Sequence, residues 1–191
     1  IKPDLVEYNG SDLPRENKDW KIATEFGSNG HTHAILSYGE IKPTGMLVRI
    51  HSECLTGEAF GSTRCDCKDQ LNKAMEEIER AGSGLVIYLR GHEGRGIKAY
   101  KLQDEGLDTV EANLALGHSA DLRSWEDAAL ILKNLNISQI NLLTNNPEKI
   151  SALVNKSIEV KQVPIITPKN AKNMRYLDTK RIKLNHITEE K

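Results

Sequence analysis

Aromatic residues are scarce: two Trp, five Tyr and two Phe make up 5 % of the 191 residues. Nine rings offer little surface on which to stack successive bases. Charge of one sign is lacking too. The 26 Lys+Arg against 27 Asp+Glu give a net charge of −1 and no broad basic field, so nucleic acid is not an expected partner. No apolar run approaches the roughly 20 residues of a membrane helix, so no membrane role is expected. There are only three cysteines. Their odd number argues against a disulfide framework and for a reducing, cytoplasmic setting. The opening Ile1-Lys2-Pro3-Asp4 has no signal-peptide core and no Met, as expected of a chain trimmed or cut from a larger protein. Repeats with a period of 20–50 residues are absent, which excludes solenoids. What remains is 38 % hydrophobic and 28 % charged residues, an ordinary globular composition with length for one main domain.

Residues 1–28 are polar and weakly patterned, and read as an irregular N-terminal arm; residues 29–191 read as one main domain. Thr32–Ser37 and Met46–His51 read as two strands joined by a turn over Gly39–Gly45. Leu71, Met75 and Ile78 fall at i, i+4 and i+7 and predict a helix over Asp69–Ala81 ending near Gly82. The run Leu85–Leu89 predicts a strand buried on both faces. Thr109–Leu116 reads as helix. Ser124-Trp125-Glu126-Asp127 has the capping-box pattern before Ala128, Ile131, Leu132 and Leu135. Ile140–Leu143 and Ile158–Pro164 read as short strands. Asn146 and Pro147 suit the N-cap and first position of a helix. Ala171–His186 reads as a terminal helix. The alternation predicts an α/β domain with a mixed sheet and flanking helices.

Three places carry residues suited to chemistry. Cys54, Cys65 and Cys67 supply three soft donors, enough for a zinc site with one open position, although three incidental thiols fit the spacing equally well. His51 is a candidate fourth ligand. Thr144-Asn145-Asn146-Pro147-Glu148-Lys149 and Asp121-Leu122-Arg123 each stand just before a predicted helix, where free N–H groups and a cation can meet an anion. Plain capping explains both as well. Gly91–Gly96 is too short for a dinucleotide fingerprint and lacks the Lys-Ser/Thr of a phosphate-binding P-loop. Its glycines still suit a close backbone approach to a ligand.

Several stretches taken in order resemble the GTP cyclohydrolase II family. They are Val48–Gly57 (VRIHSECLTG), Arg64–Cys67 (RCDC), Tyr88–Ile97 (YLRGHEGRGI), Leu102–Asp104, Asp108–Asn113 (DTVEAN), Leu142–Pro147 (LLTNNP) and Arg175–Lys180 (RYLDTK). The resemblance runs from about Ile35 to His186 and leaves residues 1–28 poorly matched. It implies an enzyme that opens the imidazole ring of GTP and releases formate and pyrophosphate. The product would be 2,5-diamino-6-(5-phosphoribosylamino)pyrimidin-4(3H)-one, the first step of riboflavin biosynthesis. It implies one zinc ion per chain on Cys54, Cys65 and Cys67, magnesium with GTP, and a homodimer. Arg123 would act at the α-phosphate with Asp121 as its proton acceptor, and Tyr100 would assist ring opening. GTP contacts would fall on Arg49, Ile50, His51, Ser52, Glu53, Gln70, Glu93, Gly94, Arg95, Thr109, Thr144 and Lys149. Some family members carry a 3,4-dihydroxybutanone-phosphate synthase domain ahead of this one, which the poorly matched arm would suit.

The resemblance breaks at two points. Gly96-Ile97 runs directly into Lys98-Ala99-Tyr100-Lys101, where the family has a Gly-Leu-rich stretch. An omitted loop accounts for this, or a true deletion that would shift Tyr100 relative to Glu93. Asn155-Lys156-Ser157 stands where the family has a Gly before its Ile-Glu-Val strand, so a short omission or a substituted turn is expected. Two alternatives to the full reaction follow: a paralogue that stops at the formamide or only releases pyrophosphate, and a zinc-stabilised nucleotide sensor without turnover. Retention of Tyr100, Asp121, Arg123 and all three cysteines favours the full reaction.

Overall fold

In the computed structural model, residues 10–15, 18–91, 97–117 and 125–187 are described, with only the backbone at 97–100 and at 109. One mixed sheet of seven strands runs in the order β1-β2-β3-β5-β4-β6-β7. The strands are β1 Ser11–Arg15, β2 Lys18–Phe26, β3 Thr32–Tyr38, β4 Met46–Ser52, β5 Gly84–Leu89, β6 Gln139–Leu143 and β7 Glu159–Val163. From β1 to β5 the pairing is antiparallel; β5, β4, β6 and β7 are mutually parallel. The helices are α1 Leu55–Glu58, α2 Cys67–Ala81, α3 Ile97–Asp104, α4 Thr109–Ala115, α5 Glu126–Asn134, α6 Pro147–Val154 and α7 Met174–Leu184. This is the expected mixed α/β arrangement.

Strand alternation splits the core into two layers. Met46, Val48 and Ile50 of β4 and Leu85, Ile87 and Leu89 of β5 pack with Ala128, Ile131 and Leu132 of α5. On the other face, Val86 and Leu143 meet Ala74, Met75 and Ile78 of α2. The helix α2 forms where its apolar spacing predicts, and Gly82 ends it in the left-handed region at φ 79°. Likewise Asn146 caps α6 by accepting from the Glu148 N–H, with Pro147 first in the helix.

Three expectations need correction. Much of the supposed irregular arm is ordered: β1 and β2 form an antiparallel hairpin that continues onto β3. Among the described residues its most buried anchor is Trp20, 1 % exposed, whose ring lies 5.4 Å from that of Tyr38 and whose Nε1 donates to Glu79 at 2.8 Å. Trp20, Ile22 and Phe26 alternate with Asp19, Lys21 and Glu25, but Ala23 and Thr24 break the period and Phe26 is exposed, so the strand signal is short. Second, β3 and β4 are not neighbours. The β4–α2–β5 crossover places β5 beside β4, and β3 takes the other edge of β5. Third, α5 begins at Glu126 with Trp125 at its N-cap and no side-chain cap. Asp127 instead accepts from the Ser28 N–H and pairs with His33 at 2.9 Å. Ser124 lies outside the described residues. A complete capping box forms elsewhere, between Asp108 and Glu111 at the start of α4.

Candidate functional site: a three-cysteine centre at the strand ends

Ligand sites in open α/β sheets gather where parallel strands end. Here β4 ends in Ser52-Glu53-Cys54, β5 in Arg90-Gly91 and β6 in Thr144-Asn145-Asn146. Cys54 precedes α1, Cys65 ends the loop that follows, and Cys67 opens α2. Their sulfurs all lie within 4.8 Å of one another, with Cys54 and Cys65 at 3.8 Å. A tetrahedral zinc site with Zn–S bonds of roughly 2.3 Å has sulfurs about 3.8 Å apart, so the donor set fits that ion in type and spacing. Gly57 completes the cradle: a Cβ there would stand 2.7 Å from Cys65 Sγ and 3.3 Å from Cys54 Sγ. Among the three thiols Cys54 ionises most readily, because Cys65 and Cys67 both donate to it. Cys65 and Cys67 are pushed up by the same bonds to Cys54 and by burial.

A buried polar network adjoins the thiols. Arg49 donates to the Leu143 carbonyl at 2.9 Å and to Gln70 Oε1 at 2.6 Å, and its guanidinium lies 3.3–3.4 Å from His51 Nδ1. A guanidinium only donates, so His51 Nδ1 is an acceptor and Nε2–H faces Glu58 Oε1 at 2.7 Å. Burial pushes the His51 imidazole below its ordinary value despite that carboxylate, keeping the ring neutral. Tyr88 also donates to Glu58, and burial with that bond raises its phenol. Gln70 Nε2 donates in turn to Asp66 at 2.6 Å. Asp66 also accepts from Thr167 at 2.8 Å and pairs with Lys180 at 3.3 Å. Burial alone would raise the Asp66 carboxyl, but the Lys180 ammonium and these donors overcome it and hold it at about 2.

The run from Arg49 to Glu53 is split by the strand. Arg49 and His51 share the face that looks toward α2 and Gln70, whereas Ile50 is fully buried in the opposite core. Alternation sends Ser52 to the face of Ile50. Glu53 stays partly exposed and accepts from the Gly91 N–H at 3.0 Å. Thr144 is buried and its hydroxyl accepts from the Asn146 N–H. Lys149 is buried, with Nζ donating to the Ile50 carbonyl at 2.8 Å and standing 5.8 Å from the Trp125 ring. Thr109 is the first residue of α4, and Tyr100 lies in α3; only their backbones are described. Glu93, Gly94, Arg95, Asp121 and Arg123 lie outside the described residues. Glu58, Asp66, Tyr88, Thr167 and Lys180 were not foreseen as part of the site. Asp66 and Lys180 both stood inside recognised motifs, but no local spacing links residues 114 apart. A polar cavity of about 750 Å³ opens between Ser62, Arg64, Asp104, Arg175 and Tyr176.

Fold and site define an α/β protein with a three-thiol centre able to hold a metal. The chain belongs to the GTP cyclohydrolase II family, whose sequence model matches residues 11–164. That match takes in the β1–β2 hairpin. The chain is 50 % identical to the GTP cyclohydrolase-2 of Buchnera aphidicola, over 96 % of this chain and 97 % of that protein. It is 49 % identical to the GTP cyclohydrolase-2 of Streptomyces coelicolor, over 82 % of this chain and 74 % of that one. It is 45 % identical to the riboflavin biosynthesis protein RibBA of Cytophaga hutchinsonii, over 96 % of this chain but half of that protein. A probable bifunctional riboflavin biosynthesis protein of rice is 51 % identical over 83 % of this chain, which spans 30 % of it. The chain thus spans half or less of these longer relatives.

Proposed function

We propose that this protein is a zinc-dependent GTP cyclohydrolase II, converting GTP to 2,5-diamino-6-(5-phosphoribosylamino)pyrimidin-4(3H)-one, formate and pyrophosphate at the entry to riboflavin biosynthesis. The observation that carries the reading is the convergence of Cys54, Cys65 and Cys67 within 4.8 Å at the strand ends, in a chain of this family. When bound, zinc would supply Lewis-acid chemistry and a water acidic enough to attack carbon 8 near neutral pH. The other roles fall to side chains. Glu53, partly exposed beside the centre, can accept from the guanine N1–H and amino group. Gln70 is held at both ends of its carboxamide, by Arg49 and by Asp66, and so presents a fixed edge to substrate. Arg49, Arg95, Thr144 and Lys149 form the donor set for the phosphates, with magnesium offsetting the remaining charge.

Tyr100 would move or hold a proton during ring opening. Arg123 stays charged under ordinary conditions, so Asp121 would have to tune it, or it stabilises the leaving phosphates electrostatically. We further infer a homodimer and a cytoplasmic setting. Relatives of twice this length and more leave room for the fusion to a 3,4-dihydroxybutanone-phosphate synthase domain that the resemblance allows, and the family also occurs without it, in a relative matched over 97 % of its length. Among the described residues no helix is long and apolar enough to cross a membrane. The deciding measurement incubates the protein with GTP, zinc and magnesium and follows products by mass spectrometry alongside formate release. Diaminopyrimidine with formate is the expected result. A formamide product or pyrophosphate alone would mark an altered end point. Intact GTP over zinc-loaded protein would overturn the reading in favour of a sensor.

A further inference from the structure

We propose that the Asp66–Lys180 ion pair is the positioning device of the cysteine centre, by which helix α7 holds the Cys65-Asp66-Cys67 turn in its metal-receiving shape. Asp66 is 1 % exposed and lies between two of the three thiols in sequence. It has no side-chain cap bond to α2, although it stands at that helix's N-cap. All its described side-chain partners lie outside the turn: Gln70 on α2, Thr167 in the segment before α7, and Lys180 on α7. Lys180 is itself buried, and the Tyr176 ring lies 4.2 Å from its Nζ, one helical turn away. The space beside the pair is about 10 Å³, at the lower limit for a single water, so the pair is effectively dry and is not itself a ligand pocket. An ion pair in such surroundings is rigid: neither partner can leave without stranding the other's charge in a buried site. Through Gln70 the same carboxylate reaches Arg49, so the thiol turn and the expected substrate residues form one connected network. The motif Arg175–Lys180 thereby acquires a role: Arg175 ties α7 to the Gly106 carbonyl, and Lys180 ties it to the thiol turn.

The inference rests on reading Cys54, Cys65 and Cys67 as a metal centre. Groups behind metal ligands typically change affinity 10–100-fold when removed. The test compares wild type with the double variant Asp66→Asn/Lys180→Gln, which leaves no unpaired buried charge, and with Thr167→Val, which removes one bond to Asp66. Cobalt(II) titration reads the thiolate charge-transfer bands, chelator competition reads zinc affinity, and circular dichroism of the metal-free proteins reads folding. The expected result is folded variants with zinc affinity lowered 10–100-fold in the double variant, a smaller loss in Thr167→Val, and weakened cobalt bands. Folded double variant with wild-type cobalt bands and zinc affinity within twofold would overturn the proposal. If the double variant does not fold, Thr167→Val decides by the same comparison. Wild type that binds cobalt through thiolates yet leaves GTP intact would defeat the proposed activity and leave the positioning role standing. Wild type with no thiolate–cobalt spectrum would defeat the positioning role together with the metal centre.

Discussion

At the scale of single residues, Gly57 shows how little slack the thiol cradle has. A methyl group there would meet Cys65 Sγ at 2.7 Å, well inside contact distance. Because α1 is only four residues long and contributes to neither hydrophobic layer, Gly57→Ala is expected to leave the fold intact and to weaken zinc at least tenfold, read by chelator competition. His51 makes the second residue-scale prediction. Burial depresses its folded pKa below the model-peptide value of about 6.5, so the unfolded chain binds the proton more readily. Stability from this group is therefore complete above about pH 6.5 and declines as the pH falls below it. His51→Gln keeps a polar side chain near Glu58 without a titrating ring. Its melting temperature should fall less than that of wild type between pH 7 and pH 5, by thermal unfolding of the two proteins side by side.

At the scale of elements, those with a strong internal period were legible from the sequence and those defined by partners were not. The helix α2 announces itself through Leu71, Met75 and Ile78, and α6 through Asn146-Pro147, because both signals lie within one or two turns. The apolar run of β5 marks a strand covered on both faces. By contrast β2 is mostly solvent-facing, with Trp20 as its one fully buried residue, so its short alternation is easily missed by a local reading. Trp20→Ala should accordingly cost about 3–5 kcal/mol, read by denaturant unfolding, and loosen the hairpin from α2. The turn between α6 and β7 shows the same principle from the other side. Ser157 adopts φ 65°, the left-handed region that favours glycine, the residue the resemblance leads one to expect in this turn. Ser157→Gly should stabilise by about 1 kcal/mol, a rise in melting temperature of about 2–4 °C. The pairing of β3 with β5, like the polar chain from Tyr88 through Glu58, His51, Arg49 and Gln70 to Asp66, follows from the crossover that brings β4 and β5 together.

At the scale of the whole molecule, the sheet divides into an antiparallel half, β1 to β5, and a parallel half, β5 to β7, with the thiols at the carboxyl end of the parallel half. The two halves differ in what they do. Trp20 ties the antiparallel end to α2, the helix that Cys67 opens. The described part of the parallel half supplies Arg49, Thr144 and Lys149. Removing zinc should therefore abolish turnover while leaving most far-ultraviolet ellipticity in place, since both hydrophobic layers are built without it. A chelator titration that erased the ellipticity would contradict that division.

The span between Asp66 and Lys180 has a temporal meaning. Chains leave the ribosome at about 5–20 residues per second, so the 114 residues separating the two take roughly 6–23 s to be made. Throughout that interval the nascent Cys65-Asp66-Cys67 turn lacks the α7 lysine that pairs with its carboxylate. On the proposed reading, metal acquisition by the finished centre is a late event, expected only after the C-terminal helix has emerged and docked.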